Sequence, residues 1–198
     1  MLPNTKALLT FAGRFLLIFF SILPLWFIFT PAYNHLLVSS ANALLPLIED
    51  PHVTTLMSWK HNIVIRRSDI PFTRGMKVRG FTGYLTHFNV ILLVALVLAP
   101  RKIEWRRRST ILAIALGILF VTHVLYLLIG VKFFEQPELE ALRGPAGSLY
   151  VWGVNFYLSI ASQLLPIVIW MTLYRTIDRI PQRGQTFEAE HSAGRQTE

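Results

Sequence analysis

The chain has 198 residues, of which 53% are hydrophobic, 13% aromatic and 15% charged, whereas a soluble domain carries about 25% charged residues. Long stretches are nearly uncharged, so the net charge of +8 is better explained by cationic loops flanking membrane spans than by nucleic-acid binding. Cysteine is absent, which excludes disulfides, thiolate metal ligands and a cysteine nucleophile.

Four apolar stretches have the length of a membrane helix, which is about 20 residues. They predict spans at about 7–29, 78–99, 109–129 and 149–174. The first stretch is too long for the apolar core of a signal peptide and ends without a good cleavage site, so we expect it to be a retained span.

The loop from 30 to 77 contains two further patterns. Apolar residues from Tyr33 to Ile48 repeat at helical spacing, and this segment is too short to cross a bilayer. It predicts an amphipathic helix lying in the interface or against the bundle. The segments 53–59 and 63–65 are rich in β-branched residues and predict a small hairpin that must dock on another element, because two strands alone are marginal in water.

The connection from Arg101 to Arg108 determines the predicted orientation, because it holds five cations in eight residues. Short loops rich in Lys and Arg stay in the cytoplasm, so four spans place both termini inside and the loop 30–77 outside. The polar segment 181–198 is expected to be a disordered cytoplasmic tail after a single membrane domain at 1–180. The prediction is an all-α integral membrane protein with four transmembrane helices, an extracytoplasmic amphipathic helix and a small β-hairpin, in a bacterial inner (cytoplasmic) membrane.

Polar residues inside the predicted spans form one candidate site. At 1.5 Å of rise per residue, His87, His123 and Asn155 lie roughly 13, 12 and 9 Å below the outer ends of their spans. They can therefore meet in one layer of the outer leaflet, with His87 and His123 facing each other inside the bundle. Three further polar side chains lie within a turn of this layer: Tyr84, Asn89 and Tyr126.

This layer has three interpretations. The first is hydrogen bonding that holds helices together, and the second is a functional pocket open to the outside. The third is ligation of a haem iron by His87 and His123. A structural zinc lacks a full ligand set, and a Ser-His-Asp hydrolase lacks an acid at this depth.

A second candidate site is the cationic approach to the second span. It can contact lipid phosphates, or it can bind an acidic segment of a partner or substrate. Its residues are Arg66, Arg67, Arg74, Lys77 and Arg79.

The stretch from Gly80 to Tyr84, with the sequence Gly-Phe-Thr-Gly-Tyr, is followed by an apolar span, a basic turn and another span. Over about residues 79–129 this resembles the core of the exosortase and archaeosortase membrane proteins, which use a cysteine in a Cys-x-Gly context to process C-terminal sorting signals. Phe81 stands where that cysteine would be, and His123 lies near the place of a later polar residue of the family. The resemblance implies a non-catalytic relative, because Phe81 is no nucleophile.

In size, span plan and the segment from Arg66 to Gly80, the chain is also similar to the exosortase H-associated membrane proteins. This similarity implies a non-enzymatic accessory protein of a protein sorting or export system, with membrane lipids and an exosortase or its substrate as partners. We expect no cofactor and no nucleic-acid partner. Two alternatives stay open: a membrane enzyme or haem b electron carrier using His87 and His123, and a small oligomeric transporter.

Overall fold

The computed structural model describes residues 5–69, 80–100, 104–135 and 145–178. Within these ranges the chain is mostly helical and carries one small sheet. The helices are α1 (Thr5–Leu44), α2 (Gly83–Leu98), α3 (Trp105–Glu135), α4 (Pro145–Phe156) and α5 (Ser162–Asp178). The strands are β1 (Thr54–Trp59), β2 (Asn62–Arg67) and β3 (Gly80–Thr82).

Helix α1 is one continuous helix of 40 residues with Pro24 and Pro31 inside it. The expected break between a first span and a separate amphipathic helix is therefore wrong. A proline removes only one intrahelical hydrogen bond. The segment after Pro31 stays helical because it packs: Asn34, Leu37 and Ala41 are fully buried on one face of the helix.

Two apolar segments are long enough to cross a membrane, judged by length and composition. They are Thr5–Leu47, with 43 residues, and Trp105–Lys132, with 28 residues. Phe88–Leu98 is a shorter apolar helix. The described structure is thus a helical protein with two long apolar helices, whereas the four-span arrangement remains a prediction.

The predicted hairpin is present, with β1 and β2 antiparallel and Lys60 and His61 forming the turn between Trp59 and Asn62. Lys60 has a φ of 55°, which such a tight turn requires. The sheet has a third strand that the sequence pattern missed: β3 pairs antiparallel with β2, giving the order β1-β2-β3. Residues 80–82 had been assigned to the second span, so helix α2 begins at Gly83 instead of 78.

The hairpin docks on the C-terminal half of α1, as expected of two strands that cannot stand alone. The side-chain amide of Asn42 donates to the carbonyl oxygen of Leu56 and accepts from its amide nitrogen, both at 2.9 Å. The Glu49 carboxylate accepts hydrogen bonds from the Thr54 backbone nitrogen (3.2 Å) and hydroxyl (2.7 Å). These contacts satisfy backbone groups on the outer edge of β1 and fix the sheet to the helix.

The predicted fourth span is two helices, α4 and α5, joined by a π-helical turn at Tyr157–Ala161. Pro166 in α5 has no backbone N–H, so the carbonyl oxygen of Ser162 lacks its partner four residues on. The Asn89 amide of α2 donates to this oxygen at 2.7 Å. A side chain from a neighbouring helix thus replaces the hydrogen bond that the proline removes.

Two apolar clusters fill the interior of the described structure. The first joins the end of α1 to the sheet and the end of α3, with Leu37, Leu56 and Leu127 fully or almost fully buried. The second joins α1, α2, α3 and α5. Tyr33 packs against both clusters, so it lies at the boundary between the bundle and the sheet-bearing end.

The predicted tail at 181–198 lies outside the described residues.

Candidate functional site

A polar contact between the two long helices joins Tyr33 of α1 to His123 of α3. The Tyr33 hydroxyl and His123 Nδ1 are 2.9 Å apart, and His123 is 1% exposed. The Tyr33 ring also makes an edge contact with Phe120, at 6.1 Å between centroids, and a tilted contact with Trp26 at 5.3 Å. The pair is held by aromatic packing on several sides.

Tyr33 is a residue that the sequence analysis missed as a partner of His123. It had been assigned to an outside helix, beyond the first span. The pattern that could have found it is the helical spacing of Trp26, Thr30, Asn34 and Leu37, which continues across Pro31 and buries all four side chains.

Tyr126, a member of the predicted polar layer, lies on the same helix as His123, one turn further along. Its ring contacts Phe81 at 5.6 Å and Tyr157 at 6.5 Å. The Tyr157 hydroxyl donates to the carbonyl oxygen of Thr122 at 3.4 Å, which links α3 to the π-helical turn. Aromatic rings from β3 and from the π-helical turn, those of Phe81 and Tyr157, therefore lie next to Tyr126, one turn beyond His123.

Asn89 lies further into the bundle. Its partner Ser162 begins α5, directly after the π-helical turn that contains Tyr157. Asn89 is 1% exposed and holds α2 against α5. Its geometry corresponds to the first interpretation of the polar layer, that of hydrogen bonding between helices.

Three predicted members of the layer are not described at the level of side chains. Tyr84 and His87 belong to α2 and Asn155 to α4, and their side chains lie outside the described part of the structure. The expectation that His87 faces His123 therefore stays a prediction.

Phe81 of β3 is 5% exposed. Its ring packs on Gly130 of α3: a Cβ added at Gly130 would lie 2.5 and 2.6 Å from the Phe81 Cε1 and Cζ atoms. The Phe81 ring fits against α3 because Gly130 has no side chain. Phe81 thus joins the sheet to α3 by packing.

The cationic candidates divide between the two faces of the sheet. Arg66 is exposed on β2, and its neighbour Arg67 points to the opposite face. Arg67 donates two hydrogen bonds to Asp69, from Nε at 2.9 Å and Nη2 at 2.7 Å. These bonds hold the pKa of the Asp69 carboxyl below its usual range. Arg74, Lys77 and Arg79 lie outside the described residues.

The contacts described above at this site are hydrogen bonds and ring packing. Over the described ranges, no three His, Asp or Glu side chains are close enough to hold a metal ion. The Tyr33–His123 pair is an imidazole–phenol contact.

Comparisons with protein-family models, with characterised proteins and with solved structures give no match for this chain. Its function is therefore argued from its own residues.

Proposed function

We propose that the chain is a multi-pass membrane protein of the bacterial inner membrane, with α1, α2, α3 and the α4–α5 unit as its four spans. The supporting observation is a stripe of exposed apolar side chains along α3, opposite the buried face of the same helix. Contiguous apolar surface of this kind favours a lipid environment over water. The stripe consists of Ile114, Ile118, Val121 and Leu125.

The N-terminal end of α3 carries residues suited to a membrane boundary. Trp105 is 71% exposed and lies beside the cations Arg106, Arg107 and Arg108, with the Arg108 guanidinium 6.0 Å from the indole centroid. Tryptophan and clustered cations mark the cytoplasmic interface of a membrane helix. In this orientation both termini are cytoplasmic and the sheet lies outside.

The same proposal assigns the chain a non-enzymatic role as an accessory protein of an exosortase-type sorting or export system. Phe81 supports this role, because its ring packs on Gly130 at the position where the resembling family has its nucleophile. His123 supports it too, since its Nδ1 is engaged by Tyr33 and its ring is enclosed. The partner, an exosortase or the membrane tail of its substrate, binds the extracytoplasmic side, where Arg66 is exposed.

The test is co-purification from solubilised membranes of cells that also produce an exosortase-type protein. We expect the two proteins to purify together, and we expect Arg66→Glu to reduce the recovered partner. Arg106→Gln, at the opposite end of the molecule, is the matched control and should leave recovery unchanged. Failure of the pair to co-purify would refute the accessory role, and cleavage of a sorting-signal peptide by the purified chain alone would refute the non-enzymatic one.

A further inference from the structure

The turn of the β-hairpin lies where the chain enters the helical bundle. In the β2–β3 register Asn62 pairs with Thr82, and Gly83, the next residue, begins α2. Trp59 pairs with Asn62 across the hairpin. The tip formed by Trp59, Lys60, His61 and Asn62 is therefore level with the first turn of α2.

A second measurement places this level relative to the proposed cytoplasmic boundary. The Phe81 ring, one residue before Thr82, packs on Gly130 of α3. Gly130 is 22 residues beyond Arg108, which corresponds to about 33 Å of helix. The hydrocarbon core of a bilayer is about 30 Å thick, so the hairpin tip lies at the height of the outer interface.

The outer face of the hairpin changes in character with distance from the tip. Nearest the tip is Trp59, 64% exposed, followed two residues along by Met57, 42% exposed. The next pair on this face is Thr55 with Arg66, which is polar and charged. A membrane surface that contacts only the tip requires apolar residues there and polar residues further away. A protein partner that covers the whole face would not require this change.

Lys60 completes the chemistry of the tip. Its side chain is exposed, and its positive φ of 55° places it in the hairpin turn. Tryptophan and lysine are typical of the membrane interface, where an indole lies at headgroup level and an ammonium reaches lipid phosphate.

We propose that the hairpin tip is a lipid anchor, with the Trp59 indole in the headgroup region of the outer leaflet and the Lys60 ammonium on a lipid phosphate. This inference rests on the membrane insertion proposed above. The anchor would hold the sheet against the bilayer and leave its far end, at Thr55 and Arg66, free for a partner.

The natural chain lacks cysteine, so single cysteines can carry a nitroxide label without further substitutions. The full chain would be labelled at Lys60→Cys, Thr55→Cys or Val121→Cys in bilayers of phosphatidylethanolamine and phosphatidylglycerol. Relaxation by oxygen and by a water-soluble nickel chelate then reports the depth of each label. Thr55 is the matched control, because it lies four residues along the same strand from Trp59, about 13 Å away.

We expect Val121→Cys to favour oxygen, Thr55→Cys to favour nickel and Lys60→Cys to lie between them. Adding Trp59→Ser should move the Lys60 label toward nickel and leave the Val121 label unchanged, which shows that the bundle is still folded. A Lys60 label as open to nickel as Thr55, with Val121 in lipid, would overturn the anchor alone. A Val121 label open to nickel would overturn the membrane insertion itself.

Discussion

The sheet meets α3 through Phe81 on β3 and Gly130 on α3. The ring occupies the space that any side chain at position 130 would need. Phe81 therefore has a structural role, which is to join the sheet to α3.

The substitution Gly130→Ala should destabilise the protein by about 1–3 kcal/mol, because the new methyl group overlaps the Phe81 ring. Phe81→Leu should relieve much of that cost in the double variant, since it removes the ring atoms nearest to position 130. Thermal unfolding of the purified single and double variants measures both effects. Strict additivity of the two substitutions would contradict the described contact.

Asn89 and Pro166 both affect the carbonyl oxygen of Ser162, because Pro166 cannot donate to it and Asn89 does. Asn89→Leu removes the donor to the Ser162 carbonyl oxygen and should cost about 0.6–1.7 kcal/mol, the range for hydrogen bonds between membrane helices. In a Pro166→Ala background the restored backbone N–H can bond that oxygen, so the same substitution should cost less. An equal cost in both backgrounds, measured by unfolding in detergent, would show that Asn89 does not act through Ser162.

At the scale of elements, the sheet depends on side chains of α1 and of the segment that follows it. Burial of the Glu49 carboxyl opposes its ionisation, but hydrogen bonds from Thr54, from the Val53 backbone and from His52 outweigh burial and lower its pKa. The carboxylate therefore contributes stability above its ordinary pKa, and this contribution is lost as pH falls through the lowered value.

We expect the hairpin to loosen on α1 below about pH 4, near and below the ordinary pKa of a glutamate. Hydrogen exchange at the Thr54 amide, which donates to Glu49, should accelerate there beyond the intrinsic change of exchange with pH. Glu49→Gln, which cannot ionise, should make protection at this amide independent of pH over that range. The same pH dependence in the variant would assign the effect to another group.

The sequence predicts the hairpin because alternating β-branched residues and a short polar turn are local features. It misses β3, whose three residues Gly80–Thr82 pair with β2 only through tertiary contact. It also divides α1 between the span at 7–29 and the segment from Tyr33, although the helical spacing of buried residues continues through Asn34 and Leu37. Depth along the spans predicts a polar layer at His123, but Tyr33 is missed as a partner of His123 because the sequence pattern places it in the outside helix, beyond the first span.

At the scale of the whole molecule, the long helices exceed what a bilayer needs. Helix α1 has 40 residues and α3 has 31, about 60 and 46 Å, against a hydrocarbon core of about 30 Å. In the proposed arrangement the additional length of both helices lies outside the membrane, where the sheet packs on them. The hairpin, the exposed Arg66 and the proposed lipid anchor are then all on the extracytoplasmic side.

Reporter fusions test this arrangement most directly. A reporter that is active only outside the cytoplasm would be inserted at Lys60, in the hairpin turn, and at Glu104, in the basic connection before α3. The proposed topology predicts activity at Lys60 and none at Glu104, with the opposite result from a reporter that is active only in the cytoplasm. Equal activity at the two positions would contradict the four-span membrane protein.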